Sequence, residues 1–421
     1  MLQLPDRIAV FSFHSSPLAS LGGGKAGGMN FYVRRVAAEL GAAGIAVDVF
    51  TRRDDTAAPE IVELGPGARL VHVPAGPAEP LESDHMISLT AEFAAGVEAF
   101  RAREALRYDL LHSHYWLSVA AGEPLARDWR VPHIAMFHTL GEVKLRARAS
   151  EREPVERLDA ESRLVHAVDH IVAATEHERQ LLRQIFRVAP QRVAVIPLGV
   201  DPEHFQPREQ AAARADLDLP PGERVLLAVG RIEPLKGFDI LIRALAEMTE
   251  RAGVTLLVVG GDERAAAEFA RLRAIAEEVG VADRVRFTGA IPHERLDVYY
   301  NAADVVVVPS FYESFGLVAL EAMASGTPVV ASRVGGLMST IADGRTGYLV
   351  PWRCPEPFAD KIDLLLGNNT LREALGAAGT RAVERYTWEK VASALLALYG
   401  EVLPEAAPDS GARPAAVAGG R

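Results

Sequence analysis

Residues 304–332 read DVVVVPSFYESFGLVALEAMASGTPVVAS. A continuous valine run ends at Pro309, a segment of small and aromatic residues follows, Gly316 opens a helical pattern, and PVVAS begins a second apolar run. Strand, turn, helix, strand is the repeating unit of a parallel sheet, and apolar runs without polar alternation indicate strands covered on both faces. The same unit recurs in both directions. Upstream lie RVLLAVG (224–230), VTLLVVG (254–260) and RVRFTG (284–289), and downstream lies GYLV (347–350). An earlier series comprises RIAVFSF (7–13), VDVFT (47–51), RLVHV (69–73), DLLHSH (109–114), PHIAMFH (132–138), HIVAAT (170–175) and RVAVIPL (192–198), with helical patterns such as 28–43 and 89–106 between them. GVDPEHFQPREQ after Leu198 is rich in proline and charge and reads as a linker. The chain therefore reads as α/β, with two Rossmann-like, doubly wound domains over 1–200 and 215–387, facing across a cleft at the carboxyl ends of their strands. The tail 404–421 has Pro, Gly and small residues but few large apolar ones, and is expected to be disordered.

Composition narrows the partners. The chain of 421 residues is 49% hydrophobic and 24% charged, as in an ordinary globular enzyme, and its formal charge of -11 argues against nonspecific nucleic-acid binding. No apolar run reaches the roughly 18 residues needed to span a membrane, and no leader precedes the first strand, so stable membrane insertion is not expected and the cytoplasm is. The lone Cys354 excludes an internal disulfide and reads as a buried or half-buried filler; no Cys/His cluster suggests a metal.

The chemistry-bearing residues fall at strand ends. HSSPLASLGGGKAGGMN (14–30) is a glycine-dense loop running into a helix, suited either to close approach of a phosphate or sugar, or to a flexible turn. It lacks the GxGxxG spacing of a dinucleotide site, which disfavours a nicotinamide dehydrogenase. In GRIEPLKGFDIL (230–241), Arg231 and Lys236 stand between a strand end and a helix, where two cations can neutralise a diphosphate leaving group, or form a solvated surface pair. Around Phe315, Gly316 and Leu317, the first amides of a helix can receive a distal phosphate. Glu321 can accept two hydrogen bonds from a ribose diol, and Glu313 at the strand end would face a sugar, or both are exposed helix-cap residues.

Arg231 and Lys236 followed by ExFGLxxxE (313–321) resemble the donor site of retaining glycosyltransferases of family 4, which include sucrose and sucrose-phosphate synthases and the inositol-phosphate GlcNAc transferase of mycothiol synthesis. HSSPL, AGGMN, HSHYWLS and HTLxxVK occur in the order found in the last of these, and the resemblance covers about residues 7–400. It implies a GT-B fold in which the helical segment 388–403 returns to the first domain. It also implies transfer of a hexosyl unit from a nucleotide sugar, UDP-glucose or UDP-GlcNAc, to a small phosphorylated sugar or polyol, with retention of configuration. No cofactor follows from it, magnesium is not required, and a homodimer is left open. By position, Arg231 and Lys236 would hold the diphosphate, Glu321 the ribose, and Glu313 with His138 the transferred sugar. Gly28 and Asn30 would lie near the donor phosphates, and Lys25, Gly27, Gly28, Tyr115, Thr139, Lys144 and Arg157 near the acceptor.

Two positions depart from the inositol-phosphate pattern. Ser83 stands where that enzyme has a phosphate-binding lysine, and Lys25 where it has an acidic residue. Fructose 6-phosphate, as used by sucrose-phosphate synthases, is the alternative acceptor, since their HSLGxxK resembles HTLGEVK here. A lipid or glycan acceptor and, outside the transferases, a nucleotide-sugar epimerase also remain open.

Overall fold

The computed structural model describes residues 3–19, 27–147, 152–220, 222–249 and 252–404. Lys25 and the tail beyond residue 404 lie outside them. Eight strands form the first sheet: β1 (Arg7–Phe11), β2 (Ala46–Arg52), β3 (Ile61–Gly65), β4 (Ala68–Val73), β5 (Leu110–His114), β6 (His133–Met136), β7 (His170–Ala173) and β8 (Val193–Val195). Their spatial order is β3-β4-β2-β1-β5-β6-β7-β8. Every pairing is parallel except β3 with β4. The second sheet holds β9 (Arg224–Val229), β10 (Val254–Val259), β11 (Val285–Gly289), β12 (Val305–Val308), β13 (Val329–Ser332) and β14 (Gly347–Val350), all parallel, in the order β11-β10-β9-β12-β13-β14.

The apolar runs became strands because both faces are covered: all six residues of β10 and all four of β12 and β13 are buried. Strand β3 was not expected. It is an antiparallel edge whose residues are only partly covered, so its sequence IVELG carries no continuous apolar run.

The helix Trp388–Val402 follows the second sheet yet packs on the helix Gly28–Ala42 of the first. Thr387 Oγ1 caps its start by accepting from the Lys390 amide. Trp388 packs edge-on to Tyr32 and Phe31, and the Tyr399 hydroxyl meets His112 Nδ1 at 2.8 Å. Trp388 is 2% exposed, and truncating a Trp so buried costs about 3–5 kcal/mol. One apolar cluster runs from Ile8 and Tyr32 through Phe205 to Val306 and Ala319, so both sheets share a core. Cys354 departs from expectation: it is exposed, at the N-cap of the helix Pro355–Leu366, where chain direction rather than packing places it.

Candidate active site

The carboxyl ends of the two sheets face one cleft of about 520 Å³. His138, Glu313, Arg231, Lys236, Gly27, Gly28, Asn30, Phe315, Gly316, Leu317, Glu321, Tyr115, Thr139, Lys144 and Arg157 all line it. Of the residues singled out in the sequence, Lys25 alone is not placed there, being outside the described residues.

On the second-domain side, Lys236 closes a short turn after β9 and its Nζ donates to Glu313 Oε2 at 2.8 Å, while Arg231 Nη2 pairs with Glu233 Oε1 at 3.0 Å. Gly316 is the N-cap of the helix Leu317–Ala324, at φ +94°, and a Cβ there would stand 2.7 Å from Leu337 Cδ2. First-turn amides of a helix have no partner within it, so this end offers donors to the cleft. The loop that carries Glu313 is fixed from behind by the pair Gly335 and Gly336. Gly336 N donates to Glu313 O at 2.8 Å, and a Cβ on Gly335, at φ +48°, would overlap the same oxygen at 2.1 Å. Phe315 is buried and packs edge-on to Tyr386, so it anchors the loop.

Glu321 is 4% exposed, receiving His293 Nε2 on Oε1 and the Tyr300 hydroxyl on Oε2, both at 2.7 Å. Burial opposes a charge on His293, but the Glu321 carboxylate outweighs it and its pKa rises above the ordinary value. The His293 ring lies 4.2 Å from that of Phe31, so the Glu321 cluster touches the first domain. Two further approaches bring the domains together: Gly27 faces Arg231, and a Cβ on Gly28 would meet Leu317 Cδ1 at 3.1 Å. Asn30 spends its side chain on the glycine loop, accepting from Gly27 N at 3.1 Å and donating to Ser15 Oγ at 2.6 Å and Ser16 O at 2.7 Å.

On the first-domain side, Tyr115 follows β5 and His138 follows β6. Both have left-handed φ, +74° and +60°, although neither is glycine. Such backbone stores strain of about 1–3 kcal/mol per residue and clusters at functional sites. The parallel register of β5 and β6 sets His114 Nδ1 3.0 Å from His138 Nε2. Burial drives the pKa of His138 down to about 3, and that of His114 well below its usual value, so both rings are neutral near pH 7. Arg157 is held from four directions: Nε by Glu161 at 2.7 Å, Nη1 by Glu153 at 2.7 Å, and Nη2 by Thr139 O and Oγ1 at 3.1 and 3.2 Å, with the Tyr115 ring 5.1 Å from its guanidinium. Lys144 Nζ is hydrogen-bonded to the other oxygen of Glu153.

Several lining residues were not foreseen: His14, whose ring is tilted against that of Tyr115 at 4.2 Å, together with Glu82, Glu153, Glu233, His293 and Tyr312. A charged residue beside a recognised cation was the available signal for Glu233 and Glu153. For His293 no local signal existed, because its partner is 28 positions away. Among the described residues no group of three or more His, Cys, Asp or Glu could hold a metal ion, and no helix is long and apolar enough to cross a membrane.

Residues 26–204 match Glycosyltransferase Family 4, and residues 209–382 match Glycosyl transferases group 1. The D-inositol 3-phosphate glycosyltransferase 2 of Catenulispora acidiphila is 41% identical over 414 residues, covering 96% of this chain and 97% of its own. The chain belongs to glycosyltransferase family 4. Among solved structures, the sucrose-phosphate synthase of Thermosynechococcus elongatus superposes with a TM-score of 0.88 at 37% identity, covering 94% of this glycosyltransferase and 98% of the other chain. Anabaena Alr3699/HepE, in complex with UDP and glucose, superposes with a TM-score of 0.75 at 19% identity, over 94% and 99% of the two chains, a likeness of fold alone. The glycosyltransferase thus has the GT-B fold, two Rossmann-like domains opposed across a cleft.

Proposed function

We propose that this glycosyltransferase moves a hexosyl unit from UDP-glucose or UDP-GlcNAc to a small phosphorylated polyol or sugar, with retention of configuration and without a metal. One observation carries the reading: the donor-type residues of one domain and the acceptor-type residues of the other, separated by up to about 290 positions in sequence, line a single cleft. Arg231, Lys236 and the amides at Gly316 and Leu317 supply positive charge where a diphosphate would leave, the task a metal ion performs elsewhere. Glu321, held by His293 and Tyr300, retains lone pairs for a ribose diol. Glu313 and the neutral His138 flank the transferred sugar, His138 Nε2 being engaged by His114 and Nδ1 left to meet a sugar hydroxyl.

In the proposed step the acceptor hydroxyl attacks the anomeric carbon on the face that the nucleotide leaves. The new C–O bond forms as the bond to the diphosphate oxygen breaks, and the hydroxyl proton passes to that departing oxygen. The chain then contributes positioning and electrostatic stabilisation rather than a nucleophile. For the acceptor, Tyr115, Thr139, Lys144 and Arg157 form the anion-binding wall. The name of the Catenulispora relative favours inositol 3-phosphate, whereas the sucrose-phosphate synthase neighbour, together with Ser83 in the cleft wall, supports fructose 6-phosphate as the second reading. The test is a panel of UDP-, GDP- and ADP-sugars against inositol 3-phosphate, fructose 6-phosphate and free hexoses, reading nucleotide release, product mass and anomeric configuration. Release that requires one phosphorylated acceptor and gives an α-glycoside from an α-donor supports the proposal; release with free hexoses only, or an inverted product, overturns it.

A further inference from the structure

The acceptor wall is electrically closed. Lys144 and Arg157 are matched by two carboxylates, Glu153 and Glu161, and the two acids are placed differently. Glu161 lies inside the helix Val155–Ala167 with a fully buried side chain, holds Arg157 Nε at 2.7 Å, and accepts the Gly141 amide at 2.7 Å. It fixes the direction of the guanidinium from behind. Glu153 precedes Pro154, the N-cap of that helix, and so lies outside the helical hydrogen bonding. Its side chain is 5% exposed, and its two oxygens divide between two of the cations that line the cleft, Oε1 to Lys144 Nζ and Oε2 to Arg157 Nη1. A phosphate bridging the same two nitrogens would make the same charge-assisted contacts, so the carboxylate stands where a phosphate would.

We infer that Glu153 is a built-in counter-ion that occupies the acceptor-phosphate subsite of the free enzyme and is displaced by the acceptor's phosphate, which makes it a determinant of acceptor specificity. The inference rests on the phosphorylated-acceptor reading above. Displacement need not disturb Arg157, because Glu161 and Thr139 hold its other nitrogens at 2.7, 3.1 and 3.2 Å. What moves is a residue in the connection before the helix. The consequence is selective: a neutral polyol cannot replace a carboxylate between the buried Arg157 and the half-buried Lys144 without leaving them unpaired, whereas a phosphate dianion replaces it with more charge.

The test measures binding of inorganic phosphate to the full-length protein by calorimetry, comparing wild type, Glu153→Gln, and Glu153→Gln with Lys144→Ala. Phosphate also meets Arg231 and Lys236, so the Lys144 change identifies the subsite. A thermal melt on each variant establishes that it is folded. With the competing charge removed, Glu153→Gln binds phosphate about tenfold tighter or more, and adding Lys144→Ala abolishes that gain. Equal or weaker binding by folded Glu153→Gln than by wild type, with binding still lost when Lys144→Ala is added, overturns the counter-ion role while leaving the acceptor reading intact. Phosphate binding that is the same in Glu153→Gln with and without Lys144→Ala overturns both.

Discussion

On the proposed reading, replacing Lys236 by alanine isolates the charge that the donor half would supply to the leaving group. Lys236 Nζ is 2.8 Å from Glu313 Oε2, with side-chain exposures of 21% and 17%, so both groups border the cleft. An ion pair of this exposure is worth about 1 kcal/mol or less to the fold, and melting should shift by only a few degrees. Its effect on turnover is larger, because the diphosphate gains charge as the glycosidic bond breaks. Removing one preorganised donor from a developing oxyanion costs about 2.7–4 kcal/mol, a factor of 10² to 10³ in kcat. A Coulomb estimate of about 4 kcal/mol for unit charges about 4 Å apart at an effective dielectric of about 20 is of the same size. Lys236→Ala should therefore lower kcat by at least about a hundredfold, with nucleotide release followed at saturating donor and acceptor so that a binding defect appears in KM instead. Lys236→Arg, which keeps the charge but changes its shape, should recover part of the loss. Full kcat in folded Lys236→Ala would mean that the leaving group is stabilised elsewhere, and the donor assignment of this wall would fail.

Glu321→Gln should raise the donor KM at least about tenfold with a smaller change in kcat, because an amide nitrogen would replace one of the two oxygens that now receive His293 and Tyr300 at 2.7 Å; an unchanged KM would exclude a ribose contact. Gly335→Ala forces a Cβ against Glu313 O at an initial 2.1 Å and should lower donor turnover at least about tenfold through displacement of the Glu313 loop, a shift a crystal structure of the variant would reveal. Burial raises the Glu178 pKa from 4.5 to about 7, so the folded chain binds the extra proton and stability falls as pH rises through that window. Above it the penalty reaches up to about 3 kcal/mol. Glu178→Gln should accordingly melt higher than wild type near pH 8 and match it near pH 4.5, and equal melting at both would remove the buried charge as a source of strain.

The sequence carried the fold where burial is complete and lost it where burial is partial. Val305–Val308 and Val254–Val259 announce themselves because both faces are covered, while Ile61–Gly65, an edge strand, has no such run. In the cleft, Arg231, Lys236, Glu313 and Glu321 were legible because a strand end followed by a helix tells where their side chains must emerge. His293 was not, since its partner Glu321 is set by packing of separate segments rather than by spacing, and Glu161, though four positions from Arg157, gave no sign of its bond to the Gly141 amide. Nor could any pattern show that Tyr115 and His138 carry left-handed backbone, which depends on how β5 and β6 deliver the chain to the cleft. The closed loop behind Glu313 was likewise hidden, because the backbone contact that needs Gly335 lies 22 positions beyond the residue it supports.

Pairing of the cleft's cations has a consequence for how the two substrates are chosen. Lys236 is bound to Glu313, Arg231 to Glu233, and Lys144 and Arg157 to Glu153, so each wall proposed to bind an anion already carries its own carboxylate. A chain of net charge -11 that left these cations unmatched would hold any small anion in solution at its most positive point. With them matched, an anion must outcompete an intramolecular carboxylate, which favours a dianion or diphosphate of the right shape over a monoanion. On the proposed reading the donor wall gains a second effect from the same device. A diphosphate that draws Lys236 toward itself releases Glu313 Oε2, and that oxygen then becomes an acceptor for a hydroxyl of the sugar attached to the same diphosphate. Nucleotide alone would free the carboxylate without giving it a hydroxyl to bind, whereas the nucleotide sugar supplies both, so the Lys236–Glu313 pair links recognition of the leaving group to recognition of the group it leaves.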